Sequence, residues 1–309
     1  MHYKSYQHVE KLGSKEVEGI LNGRVYLFYK IDGTNSCVWL KDDGTLGFGS
    51  RRRELNMVED NAGFMTAIMT QPENKKVLAD LKEFLTEHPN YIIYGEWLVK
   101  HTLKSYSNDA WRQFYIFDIY DTETNEYIPY YVYESLFNLV YKNLKYIPLI
   151  ESLENPTEDD IKLRLGKTGD FLCTAGLGEG IVIKNYDFVN RYGRRIWAKV
   201  LTEDFRENKN KTRNNNSINK EENAIEYEII KLMTVEHVLK EKSKIEETYG
   251  GWSDKYIFEL LNRSFTEFWS DNWQHIFKKF KMPTVNFKKL KQLSDIFVKE
   301  ILTGKVIGE

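Results

Sequence analysis

A change of hydrophobic period divides this 309-residue chain. Up to about residue 201, apolar side chains come in short runs rich in β-branched and aromatic residues. These are "VYLFYK", "SCVWLK", "TLGFGS", "YIIYGEW", "FYIFDIY", "EGIVIKN" and "RIWAKVL". Such runs read as strands, and "KDDGTL" between two of them reads as a hairpin turn. Helical patches lie between them: "NKKVLADLKEFLTEH", "YESLFNLVYKNL" and "TEDDIKLRL", the last with Thr157 as N-cap ahead of acidic residues. Strands and helices interleave without a βαβ rhythm, so the expected class is α+β, with antiparallel sheets flanked by helices. Later in the chain the period becomes three and four. Ile225, Ile229, Leu232, Val235 and Leu239 repeat in this way. So do Ile257, Leu261, Phe265 and Phe268, and then Leu290, Leu293, Phe297 and Ile301. Three or four amphipathic helices follow, stopped by "YGGW" at 249–252 and by Pro283. Phe265, Phe268, Trp269 and Trp273 form an aromatic stripe that reads as core rather than as a base-stacking platform.

Between the two regimes, "RENKNKTRNNNSINK" (206–220) holds five basic residues against one acidic and almost no apolar side chain. It reads as a connector, or as a basic flap near phosphate. The expected division is therefore 1–205, a linker at 206–222 and a helical domain at 223–309.

Hydrophobic residues make up 41% of the chain and aromatics 14%, enough for a packed core. Cys37 and Cys173 have no partner spacing, so neither a disulfide framework nor a zinc site is expected. The first residues lack a signal-peptide core and no run approaches a membrane span, which suits a monomeric cytoplasmic protein. Net charge is −2, so any nucleic-acid surface must be local.

"YKIDGTN" (29–35) places Lys30 at the end of an apolar strand, before an Asp-Gly pair that predicts a tight turn. The amine either snorkels into water or serves chemistry. A lysine at its usual pKa of ~10.4 is almost wholly protonated near neutrality, and a drop of about two to three units would raise the neutral fraction roughly a hundred- to a thousandfold. Gly33 permits close backbone approach to a ligand. Other polar groups recur at strand ends: Arg51, Arg52 and Arg53 in "FGSRRREL", Glu96 in "YIIYGEWL", Asp118 beside Phe117 in "FYIFDIY", and Lys199 in "RIWAKV". In "EGIVIKN", alternation sends Glu179, Ile181 and Ile183 to one side and Val182 and Lys184 to the other. Singly, each is as well explained as an ordinary strand-edge residue.

Together, KxDG at 30–33, SR at 50–51, GE at 95–96, FD at 117–118, EGIVIK at 179–184 and Lys199 resemble the six motifs of the covalent nucleotidyltransferases, the polynucleotide ligases and mRNA capping enzymes. The likeness is greatest to the RNA ligase 2 branch, and it spans about residues 20–207. It implies an ATP-dependent RNA ligase that forms lysyl-AMP on Lys30, passes AMP to a 5′-phosphate RNA end and seals that end to a 3′-hydroxyl. It implies that Arg51 lies by the ribose and phosphate, that Glu96 bonds the ribose, and that Phe117 and Val182 sandwich adenine. Glu179 would help hold Mg2+ or Mn2+, Lys184 and Lys199 would touch phosphate oxygens, and Asn35 would act in sealing. Cations at 184 and 199 would help to lower the Lys30 pKa. The branch often carries a second lysine where this chain has Leu201, with Arg195 as a substitute, and Trp197 takes no role beyond packing. Arg191, Arg194 and the linker are further polynucleotide contacts on this reading. A DNA ligase and a non-catalytic nucleotide- or RNA-binding module stand as the alternatives.

Overall fold

The structure, a computed structural model, describes residues 2–99, 106–202 and 225–304. The chain divides into two compact units, residues 1–205 and 206–309, each described here by itself. The polar run 206–222 lies outside the described residues.

In the first unit, alternating apolar runs form two sheets among the described residues. One has the order β1 (Glu10–Lys11), β11 (Ala198–Leu201), β10 (Gly180–Lys184), β2 (Arg24–Lys30) and β9 (Leu149–Glu154). Its neighbours are antiparallel except β1 and β11. The other runs β4 (Leu46–Ser50), β3 (Thr34–Leu40), β5 (Tyr91–Leu98), β6 (Gln113–Asp121) and β7 (Glu126–Tyr127), with β8 (Lys145–Tyr146) parallel to β6. The class is α+β, as the irregular interleaving of strands and helices predicts. The "KDDGTL" hairpin forms with Gly44 at φ 77°. Beside it Trp39 lies across Gly47, where a Cβ would come within 2.3 Å of the indole.

A period of two gives each sheet two distinct faces. In the first sheet Val25, Leu27, Ile181, Ile183, Ala198 and Val200 pack with Val17, Ile20, Ile161 and Leu165. The second sheet buries Val38, Phe48, Ile93 and Trp97 in the core that also takes Phe64 and Ile68 of α1 (Phe64–Thr70), Phe84 of α2 (Lys75–Glu87) and Phe137 of α3 (Tyr130–Leu139). On its other face Cys37, Trp39, Ile92, Tyr94 and Tyr120 are covered by Tyr3 and Tyr6. Thr157 caps α4 (Glu158–Arg164) in a reciprocal capping box with Asp160. The helix expected over 133–144 instead begins at Tyr130, after Pro129, and ends at Leu139.

The second unit holds α5 (Ile225–Ile230), α6 (Val235–Tyr249), α7 (Ile257–Lys279) and α8 (Phe287–Leu302). The stripe read as continuous through Leu239 breaks after Ile230. A turn follows, Thr234 starts a new helix, and Val238 rather than Leu239 enters the core. Gly250, left-handed at φ 75°, ends α6 as "YGGW" predicts. Phe268 is sealed in the core and Phe265 and Trp269 pack against it, whereas Trp273 stays 40% exposed. Among the described residues no helix is long and apolar enough to cross a membrane, and neither cysteine is part of a disulfide.

Candidate active site

Lys30 is the last residue of β2, opposite Gly180 of β10. The Asp-Gly pair does not close a hairpin. Residues 31–33 carry the chain from the first sheet to the second, where β3 pairs with β4 and β5. Gly33 is required at that crossing because a Cβ would sit 2.5 Å from the Trp97 carbonyl oxygen and 2.9 Å from Glu96 Cγ. The close approach is thus to β5. It lets the Gly33 N–H donate to Glu96 Oε1 at 3.0 Å, while the Asp32 N–H donates to the Tyr106 hydroxyl at 2.9 Å.

The Lys30 amine donates to Glu179 Oε2 at 2.7 Å, with the two side chains 23% and 8% exposed. Alternation would have sent Glu179 to the side of Ile181 and Ile183. It precedes the first strand residue, Gly180, so the parity of β10 does not bind it. Gly180 itself fits close under β11, where a Cβ would meet the Val200 carbonyl at 2.2 Å. Glu96 is pushed up to about 7: burial raises it, Lys30 opposes the rise, and Glu179 and Asp32 add to it. Asn35, directly across from Glu96 in the β3–β5 register, buries a side-chain oxygen that accepts no hydrogen bond. Lys30, Asn35, Glu96 and Glu179 therefore converge where the two sheets meet.

A second cluster joins the same sheets. Lys184 Nζ lies 2.7 Å from Asp118 Oδ1 and also donates to the Phe117 carbonyl. Asp118 Oδ2 accepts from the Tyr6 hydroxyl and, at 3.0 Å, from Trp197 Nε1. The Lys184 amine also sits over the Phe28 ring, 4.7 Å from its centroid. Burial lowers the Lys184 pKa, and Asp118 opposes that shift. Since this amine is engaged by Asp118, a contact with phosphate would require a change of partner. Phe117 and Val182, the expected adenine-stacking pair, are both half-buried and pack against the same core. The Phe117 ring is 4.9 Å from that of Tyr6. Lys199, opposite Val182, is 9% exposed.

The arginines lie further out. Arg51 is exposed and meets His8 Nδ1 at 2.8 Å. Arg53 turns back onto Glu59, and Arg195, offered above for the missing second lysine, pairs with Glu126 at 3.5 Å. Tyr6, His8 and Tyr106 escaped the sequence reading, and Asp32 entered it only through KxDG and the Asp-Gly turn. Asp118 was noticed as a polar residue of an apolar strand and as a motif letter, but no partner was assigned to it, although a buried carboxylate needs partners.

Residues 23–201, well over half of the chain, match the RNA ligase family model. The chain belongs to the RNA ligase family. This ligase-family chain is similar to a solved Glu-to-Ala variant of Naegleria gruberi RNA ligase with ATP and Mn: 22% identity, 67% of this chain, 58% of that one, TM-score 0.50. An Arg-to-Ala variant of the same protein with ATP and Mn matches at 23% identity over 68% of this chain and 59% of that one, TM-score 0.49. At such identities the first match establishes a shared fold. The chain spans less than two-thirds of the solved chains it matches. No curated protein sequence matches it significantly.

Proposed function

We propose that this chain is an ATP-dependent RNA ligase, with residues 1–205 as its nucleotidyltransferase domain. The observation that carries the reading is the Lys30 amine, held 2.7 Å from Glu179 inside the family-matched segment. In the first step Lys30 Nζ attacks the α-phosphorus of ATP, and the bond to the pyrophosphate oxygen breaks. Pyrophosphate leaves, and the amine's proton passes to a carboxylate. Glu179 Oε2 already accepts that proton's hydrogen bond. AMP then moves to a 5′-phosphate RNA end, and a 3′-hydroxyl attacks to join the strands and release AMP. Such transfers depend on position and charge neutralisation.

Within this reading Glu96 meets the ribose and Phe117 and Val182 flank adenine. Arg51 and Lys199 meet phosphate, and Asn35 offers its buried unbonded oxygen during sealing. Lys184 acts as a positioning residue, holding the β6 backbone at Phe117 through the Asp118 pair. The carboxylates of Asp32, Glu96 and Glu179 outnumber the Lys30 ammonium, and their mutual repulsion contributes to the raised pKa of Glu96. This donor chemistry fits Mg2+ or Mn2+, with Glu179 the chief protein ligand. Among the described residues no group of three or more His, Cys, Asp or Glu side chains could hold a metal alone, so substrate phosphate would complete the site. A bound divalent cation would supply charge neutralisation at the phosphates.

The test is label transfer from α-labelled ATP, read on a denaturing gel. Lys30→Arg retains the ion pair with Glu179 but offers no usable nucleophile. Wild type should carry the label and Lys30→Arg should carry none. Label retained on Lys30→Arg, mapped to another side chain, would overturn the assignment. Nicked RNA, nicked DNA and hybrid duplexes, assayed in parallel, separate RNA ligase from DNA ligase.

A further inference from the structure

Residues 272–294 of the helical unit contain six lysines and no acidic residue. Lys278 and Lys279 end α7, Lys281 lies in the turn, and Lys288 opens α8; all four are exposed. Among the described residues none of the four has a carboxylate partner. Lys291, by contrast, is paired with Asp295, so it adds little to the patch. Glu226 reaches this turn from α5. It is 6% exposed and accepts the Asn286 N–H at 2.7 Å. Lys281 and Met282 are both left-handed, at φ 55° and 57°, and the Met282 N–H closes onto the Phe277 carbonyl. Among the lysines stand Trp273, Met282 and Phe287, exposed by 40%, 75% and 47%. The first turn of α8 adds the positive end of a 16-residue helix.

Unpaired like charges gathered at one turn repel one another until a polyanion neutralises them. Apolar faces among the cations suit bases as well as phosphates. We infer that the α7–α8 connection is a docking surface for the sugar-phosphate backbone of RNA, with Lys278, Lys279, Lys281 and Lys288 as its phosphate contacts. The choice of RNA as the polyanion rests on the ligase reading. The surface lies outside the adenylylation residues, so the two can fail separately.

The experiment compares full-length wild type with the quadruple variants Lys278→Gln/Lys279→Gln/Lys281→Gln/Lys288→Gln and the same four positions changed to Arg. Fluorescence anisotropy reports binding to labelled single-stranded and nicked-duplex RNA over a salt series. Each lost single-strand phosphate contact lowers the log–log salt slope by about 0.7, so four should lower it by about 3 and weaken binding at least about tenfold. The Arg variant should bind as wild type does, which excludes misfolding as the cause. Lysyl-AMP formation should be equal in all three proteins. An unchanged affinity and slope in the Gln variant overturns the inference and leaves the patch to solvent or an acidic protein; so does a wild type that binds no RNA. If no protein forms lysyl-AMP, the ligase reading fails while the salt slopes still judge this surface.

Discussion

Lys184 Nζ and Asp118 Oδ1 are 2.7 Å apart, with side chains 2% and 0% exposed, and this pair joins the two sheets of the first unit. Asp118 also accepts hydrogen bonds from Tyr6 and Trp197, so one carboxylate satisfies three side chains. Asp118→Ala should leave a buried ammonium without its counter-charge, and a hydroxyl and an indole N–H without their acceptor. Breaking a buried pair from one side costs about 3–5 kcal/mol. The Asp118→Leu/Lys184→Met double variant should recover much of that loss, because no uncompensated charge remains. Hydrogen exchange at the amides of β6 and β10 in the three proteins checks the order. A double variant no more stable than Asp118→Ala would mean that the pair is not the source of the loss.

Glu96 gives a pH dependence of definite sign. Its folded value of about 7 lies above the 4.5 of an unperturbed glutamate, with burial as the main cause. Below pH 4.5 both states are protonated and the group has no effect on stability. Between 4.5 and 7 the unfolded chain ionises first, so folding becomes progressively less favourable, and above 7 the penalty is constant. Glu96→Gln removes the ionisation and keeps an oxygen for the Gly33 N–H. It should match wild type near pH 4 and exceed it above pH 7 by up to about 3 kcal/mol. Hydrogen exchange at the amides of β3 and β5 across that range provides the measurement, and a gap that does not widen with pH would refute the coupling.

Much of the site was legible because it lies on strands, where a polar residue in an apolar run is conspicuous. Lys30 and Glu96 stand out in this way, Glu179 is legible only as the first letter of EGIVIK, and the structure brings the three together. The partners of Asp118 were not legible. Tyr6 comes from far upstream in sequence, and Trp197 reads as plain core. Period-two reasoning failed at Glu179 because that residue sits just outside its strand. Helical period failed at Leu239 because the stripe spans two helices, with a cap at Thr234 that resets the phase. The Asp-Gly pair misled for a related reason: a turn signal reports local bending, and here the bend carries the chain between sheets.

Removal of divalent metal should separate chemistry from folding. On the ligase reading the cation takes ligands from the substrate phosphates, and among the described residues no group of three or more His, Cys, Asp or Glu side chains could hold a metal. Chelation with EDTA should abolish lysyl-AMP formation, and Mg2+ or Mn2+ should restore it. The thermal midpoint without ATP should be the same with and without EDTA, within about 1 °C, since a ligand that binds weakly to the free protein adds little stability. Differential scanning fluorimetry with and without ATP reads this directly. A large EDTA-induced fall in the ATP-free midpoint would instead show a structural metal.

The helical unit carries the opposite titration at Glu241. Its side chain is 3% exposed and lies 2.9 Å from Lys244 and 3.2 Å from Arg263. Burial alone would raise its pKa, but the two cations outweigh burial and hold it at about 2. A carboxylate with a depressed folded value stabilises the fold above its unfolded pKa of 4.5, and that contribution vanishes as pH falls from 4.5 through 2. Its size is about 3 kcal/mol at neutrality. Glu241→Gln should therefore lower protection at pH 7 and matter little near pH 2. The chain has two units, so a single unfolding midpoint would mix them. Hydrogen exchange at the amides of α6 and α7 isolates the unit concerned. Their opening free energy in wild type should decline between pH 4.5 and 2, while that of Glu241→Gln should change much less over the same interval. Parallel declines in both proteins would place the acid sensitivity on other carboxylates.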